Sequence, residues 1–250
     1  MLAIIGGTGL SELQGFEQLE KVAIKTPYAR AKVRLVRIGS GDKEFMFLPR
    51  HGIGHKIPPH EINYRANIAA LSELDVTEIV AINAVGAIHG DFLPGSIAVP
   101  DQLIDYSYSR DVSFFGGKLK KVHHIDFTNP YSEAVRERIL LAIQAANSSS
   151  KTVCDVIAGG TYACTQGPRL ETAAEIRRLA QDGCDMVGMT GMPEASLARE
   201  LEIEYASLAL SVNWAAGLSE APITLEDIHS VLEAGMEFVS AVLTEIVQQS

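Results

Sequence analysis

The chain has 250 residues, 47% hydrophobic and 21% charged, which is enough apolar material to bury a substantial core. Its net charge of -10 argues against nucleic acid or an anionic membrane as partner, since both require a basic face. No apolar run reaches membrane-spanning length, and the three cysteines lack metal or redox spacing, so reduced structural thiols in a cytoplasmic protein are expected.

Short apolar runs bounded by glycine alternate with longer amphipathic stretches, the pattern of an α/β sheet with helices on its faces. Residues 2–5 read as a buried strand running into Gly6-Gly7-Thr8-Gly9, and not as a signal peptide, because no basic segment precedes them. Residues 33–38 and 45–48 suggest paired strands joined by Gly39-Ser40-Gly41-Asp42. A helix is predicted over 63–74, with Ile68 and Leu71 on one face. Residues 79–84 form a β-branched run ending in Val85-Gly86-Ala87, and 96–99 form another strand, stopped by Pro100. The helix over 132–146 has Ser132 as cap candidate and Glu133 in its first turn. Asn147-Ser148-Ser149-Ser150 reads as a loop, too short for a linker. Residues 153–158 are a strand feeding Gly159-Gly160, and 161–165 continue extended. Then come a helix over 172–181, a brief strand over 186–189 and a helix over 194–201. The apolar run 205–212 ends at Asn213-Trp214, and a long amphipathic helix spans about 225–247. With no repeat, low-complexity tract or composition shift, residues 1–250 are expected to be a single domain.

Polar residues gather at strand ends: Thr8, Arg50-His51, Asn83-Ala84, Thr190 and Asn213. In open α/β sheets that is where ligands bind. Gly6-Gly7-Thr8-Gly9 lets backbone approach an anion and adds a hydroxyl, though taken alone it fits a structural turn better. The spacing of a dinucleotide-binding fingerprint is absent, as is a Walker sequence. Arg50 offers a planar fork for two phosphate oxygens and His51 a further donor; an ordinary charged surface loop explains the pair equally well. Glu171 sits where it would favour a helix N-terminus, and Met189 would serve as core filler. The seven histidines show no metal-binding pattern.

Taken in order, IIGGTGL (4–10), PRHG (49–52), NYRANI (63–68), AVGA (84–87), QGPRLET (166–172) and GMTGMPE (188–194) resemble the family of trimeric purine nucleoside phosphorylases and 5'-methylthioadenosine phosphorylases. The resemblance spans nearly the whole chain. It implies a three-layer α/β/α fold with a mixed central β-sheet flanked by helices, a homotrimer, no metal and no cofactor. Inorganic phosphate would be co-substrate and a small-molecule nucleoside the substrate. The implied phosphate site is Thr8, Arg50, His51, Asn83, Ala84 and Thr190, with His51, Glu171 and Asn213 as catalytic residues. The implied substrate site takes in Ala84, Val85, Gly86, Leu170, Glu171, Val187, Asn213 and Ala215, with Met189 under the sugar. Phosphate would attack the anomeric carbon as the purine leaves, with catalysis by orientation and electrostatics.

Family members that cleave 6-oxopurines resemble this chain at Glu171 and Asn213. A glutamate carboxylate accepts from N1–H, while an asparagine amide donates to O6 and accepts from a protonated N7. Methylthioadenosine phosphorylases instead resemble PRFSS in the first place and carry aspartates in the second, and Ala215 replaces one of these. At the sugar's 5' end the family's purine nucleoside phosphorylases place a histidine, where this chain aligns Ile228, with Leu225 one turn earlier and His229 one step beyond. His123-His124 resembles the segment that reaches across a subunit boundary to cover that end. Together these features imply phosphorolysis of S-methyl-5'-thioinosine. The alternatives are a general 6-oxopurine nucleoside phosphorylase for inosine or guanosine, a 5'-methylthioadenosine phosphorylase, or a non-catalytic purine-binding protein; a nicotinamide dehydrogenase is disfavoured by the missing third glycine.

Overall fold

A computed structural model describes residues 1–8, 10, 15–116, 123–149, 154–220 and 223–249. Strand β1 (Leu2–Gly6) is buried throughout, and in the sheet it lies parallel to and between two strands carrying later parts of the chain. Before them in sequence come β2 (Glu17–Ile24) and β3 (Val33–Ser40); the two neighbours of β1 are β4 (Lys43–Pro49) and β5 (Glu78–Ala87). β3 and β2 extend this wing outward from β4 as antiparallel neighbours. The β3–β4 turn is tighter than predicted. Ser40 pairs with Lys43, so only Gly41-Asp42 connect the strands, and Gly41 supplies the positive φ of 63° that a two-residue turn requires. β2 escaped prediction because its charged, mostly exposed sequence carries no buried stripe.

After β5 follow β6 (Ile97–Ala98), β7 (Gln102–Asp105), β8 (Val156–Ile157), β9 (Thr161–Cys164), β10 (Met186–Gly188) and β11 (Glu204–Trp214). β11 runs parallel to β5 along one edge, with a register irregularity between Ser211 and Asn213. On the other edge of β5, β1 pairs with residues 78–81 and antiparallel β10 with Gly86 and Ala87. The stretch from Ile82 to Val85 therefore has no strand on that edge. Beyond β10 lie β9 and then β7, both parallel. β6 pairs with β11 and β8 with β6. The sheet is mixed, as expected. β7 was not predicted, and β8 is shorter than the predicted 153–158, of which Val153 lies outside the described residues.

Alternation along the central strands divides the core between two faces. Ala3 and Ile5, Met46 and Leu48, and Ile79 and Ala81 pack against α1 (Tyr64–Ser72); Leu197 and Ala198 of a later helix share that face. Leu2 and Ile4, Phe45 and Phe47, and Val80 and Ile82 pack against α2 (Glu133–Ser149) on the opposite face, where the C-terminal helix joins them. Burial on both faces explains why these strands read as continuous apolar runs. The remaining helices are α3 (Ala173–Gln181), α4 (Glu194–Glu200) and α5 (Leu225–Gln248). Their starts follow capping chemistry: Thr172 and Glu175 form a reciprocal capping box, and Thr224 caps α5. The predicted loop at residues 147–150 is a correction. α2 continues through Ser149, with the Ser148 and Ser149 hydroxyls bonding back to the carbonyls of Gln144 and Ala145; Ser150 lies outside the described residues.

Candidate active site

The gap between β1 and β10 on the edge of β5 is filled by Arg50. The chain leaves β4 at Pro49, and the Arg50 amide bonds the Gly6 carbonyl at 3.0 Å, turning the side chain inward. Its Nη1 donates to the Ile82 carbonyl at 2.9 Å, satisfying a group that antiparallel β10 ends too soon to reach. Gly7 has to be glycine here, since a Cβ would lie 2.5 Å from the Ile82 oxygen. Arg50 Nε and Nη2 form a fork onto Glu194 at 2.8 and 2.7 Å, both side chains being 0% exposed. Tyr205 adds a hydroxyl donor to Glu194 Oε1 at 2.9 Å. Burial works against the guanidinium charge, but Glu194 outweighs it, so the Arg50 pKa lies above its ordinary value. One hydrogen each on Nη1 and Nη2 is left over for a ligand.

A second polar chain runs behind the cavity wall. Ser207 donates to Asn83 Oδ1 at 2.7 Å, and Asn83 Nδ2 donates to the Thr190 hydroxyl oxygen at 2.8 Å. With that oxygen accepting, the Thr190 hydrogen is available to point into the cavity. Asn83 thus acts behind Thr190 and does not itself line the cavity. His51 departs from the expected donor role. Its Nδ1 lies 2.8 Å from the Ile57 carbonyl, which can only accept, so Nδ1 carries the ring proton. Burial and then the adjacent Arg50 push its pKa down to about 4. The ring is neutral, and its donor is already used.

At the far end of the same cavity, Glu171 and Asn213 both face inward. The Thr165 hydroxyl donates to Glu171 Oε1 at 2.6 Å, leaving Oε2 as an acceptor. Asn213 Nδ2 donates to the Trp214 carbonyl at 2.6 Å, which fixes the amide orientation and leaves Oδ1 and the second amide hydrogen free. Gly86 lies against this amide: a Cβ there would meet Asn213 Nδ2 at 3.4 Å and Val187 Cγ1 at 3.3 Å. Arg110 ties the two walls together, donating to the carbonyls of Thr165, Gln166, Met189 and Met192. Sequence reasoning missed Arg110 and Thr165. Neither belongs to a motif, and only their placement by the fold reveals the contacts.

Thr8, Arg50, His51, Ala84, Val85, Gly86, Leu170, Glu171, Val187, Met189, Thr190, Asn213, Ala215 and Ile228 line one cavity, together with Gly7, Pro59, Gly188, Val212, Ala216 and Ile223. Besides Asn83, two predicted residues fall outside it. Leu225 is 73% exposed, because it occupies the first turn of α5 on the solvent side, and His124 is exposed outside any helix or strand. Ile228, not His229, faces the cavity; His229 lines an adjoining groove with His55 and Thr8. Among the described residues no group of three or more His, Cys, Asp or Glu side chains is placed to hold a metal ion, and no helix is long and apolar enough to cross a membrane.

Residues 1–248 match the phosphorylase superfamily. The chain belongs to that family. A probable S-methyl-5'-thioinosine phosphorylase of Pseudomonas syringae pv. tomato is 51% identical over 249 residues, covering 99% of this chain and 98% of the relative. The 6-oxopurine nucleoside phosphorylase of Pyrococcus furiosus is 42% identical over 241 residues, covering 94% and 88%. The structure of methylthioadenosine phosphorylase from Schistosoma mansoni in complex with adenine superposes with a TM-score of 0.92 at 33% identity, covering 99% of this chain and 91% of that one. This phosphorylase is accordingly an enzyme of the purine nucleoside phosphorylase type, a pentosyltransferase, with the nucleoside phosphorylase α/β fold.

Proposed function

We propose that the chain catalyses phosphorolysis of S-methyl-5'-thioinosine, giving hypoxanthine and 5-methylthioribose 1-phosphate. The observation that carries the reading is Glu171, held by the Thr165 hydroxyl as a pure acceptor, on one cavity with the Asn213 amide. An acceptor fits the N1–H of a 6-oxopurine, and the free amide hydrogen fits O6; a 6-aminopurine presents the reverse pattern at both atoms. Phosphate rests among Thr8, Arg50 and Thr190, and one of its oxygens attacks the anomeric carbon. The bond to N9 breaks, its electron pair passes into the purine, N7 takes up a proton from solvent, and Asn213 Oδ1 accepts a hydrogen bond from the N7–H so formed. Met189 underlies the sugar, and Ile228 offers an apolar surface suited to a methylthio group. The names of the Pseudomonas and Pyrococcus relatives support the base preference.

In this reading residues 1–250 act as one domain without a cofactor, in a cytoplasmic homotrimer where His124 of one subunit covers the site of the next. A general 6-oxopurine nucleoside phosphorylase is the second reading, favoured by His229 lying one position from the 5' end. The test is phosphate-dependent base release from methylthioinosine, inosine and methylthioadenosine side by side. The proposal expects methylthioinosine to lead; a lead for inosine favours the second reading, and one for methylthioadenosine defeats the base-site assignment.

A further inference from the structure

The phosphate end of the cavity contains a group that the expected donor set does not account for. His51 contributes to the lining beside Gly7, Arg50 and Thr190, yet its one ring proton is committed to the Ile57 carbonyl at 2.8 Å. Nε2 then carries a lone pair, and among the described residues the ring's hydrogen bond is the one from Nδ1 to Ile57. The charged and titratable groups around the ring are Arg50, itself neutralised by Glu194, and His55, whose ring centroid lies 4.2 Å away and which faces His229. None of them supplies a second proton donor aimed at Nε2. An anion-binding site that presents an acceptor is chemically unusual, because an oxyanion's lone pairs repel it unless the anion brings a proton of its own.

We propose that His51 Nε2 accepts a hydrogen bond from the P–OH of bound phosphate, so that the site selects a protonated oxyanion over a fully deprotonated one of equal charge. The inference rests on the phosphate-site reading given above. Thr8, Thr190 and the two spare hydrogens of Arg50 donate to the unprotonated oxygens, and the hydroxyl oxygen turns toward His51. No proton changes owner on binding; the hydrogen bond alone distinguishes the ligands. Burial and the neighbouring Arg50 guanidinium hold the His51 pKa down to about 4 and so favour the neutral ring. A sulfate in the same place would set lone pair against lone pair.

The test compares four probes by calorimetric titration of the intact enzyme at about pH 8, where phosphate is mainly its hydrogen phosphate dianion and unperturbed histidine is neutral. Phosphate and arsenate carry a hydroxyl; sulfate and monofluorophosphate are dianions without one. Phosphate and arsenate are expected to bind alike, with sulfate and monofluorophosphate weaker by about tenfold or more, the scale of one hydrogen bond to a charged partner. In His51→Gln, whose amide can donate as well as accept, the gap should shrink severalfold. Equal affinity for all four dianions in the wild type overturns the inference, whatever the variant does. An undiminished gap in a folded His51→Gln also overturns it. Phosphorolysis assayed in parallel separates the two levels: turnover with equal anion affinities removes this inference and leaves the proposed activity, whereas absence of both turnover and phosphate binding removes both.

Discussion

Glu194→Gln tests the buried pair on which the phosphate end is built. The substitution keeps the shape of the side chain but removes its charge and turns one acceptor into a donor. In the native arrangement both carboxylate oxygens accept from Arg50, and Oε1 accepts also from Tyr205, with both members of the pair wholly shielded from water. A glutamine has to place its NH2 against either Nε or Nη2 of the fork, leaving an uncompensated buried cation. Breaking such a pair costs about 3–5 kcal/mol. For a chain of this size that lowers Tm by roughly 6–20 °C. The tilted guanidinium should also raise the KM for phosphate by about 10²-fold while altering the nucleoside KM much less. Tyr205→Phe removes a single donor and leaves the fork intact, so its cost should be smaller, about 1–3 kcal/mol. Thermal melts and two-substrate kinetics on both variants provide the check. A Glu194→Gln enzyme melting within a degree or two of wild type, or less affected than Tyr205→Phe, would refute the assignment of Arg50 to a fork fixed by this carboxylate.

The other expected outcomes concern the base, the sugar and acid stability. Asn213→Asp places an acceptor against the Trp214 carbonyl and removes the donor to O6; the ratio of kcat/KM for methylthioinosine over methylthioadenosine should fall by about 10²-fold, and an unaltered ratio would remove Asn213 from base recognition. Ile228→His puts a polar ring at the sugar's 5' end and should shift preference toward inosine by about 10-fold, read from kcat/KM for the two nucleosides; a shift the other way contradicts the assigned position. His51 titrates near 6.5 when unfolded and at about 4 when folded, so the unfolded chain binds the extra proton between those values. Stability should therefore be complete above about pH 6.5 and decline by about 3 kcal/mol as pH falls to 4. Denaturant midpoints across that range should flatten in His51→Gln, and an equal slope in both proteins would assign the acid sensitivity elsewhere.

The layers of the fold were legible because they depend on local patterns. β1, β5 and β11 are apolar on both faces, and the long helices carry amphipathic spacing. β2 and β7 were not legible, because edge strands without a buried stripe look like loops until neighbours pair with them. The cavity residues could be named from motifs, but a motif states which side chain is present and not what already occupies its hydrogen bonds. Arg50 and Glu194 stand 144 positions apart, and no spacing rule joins them. His51 looked like a donor to anions because histidine usually is one; a carbonyl six residues along the chain makes it an acceptor toward the cavity. The same holds for Asn83, which reads as a ligand and serves instead to aim Thr190, and Arg110, which no motif singles out, binds four carbonyls that position both walls. What the sequence withheld was therefore direction: which lone pair or proton each polar group has left once the fold has used the others. In the proposed function, base and anion selection both depend on that remainder, which gives the backbone carbonyls at Ile57, Ile82 and Trp214 as large a part in the proposed specificity as the side chains they engage.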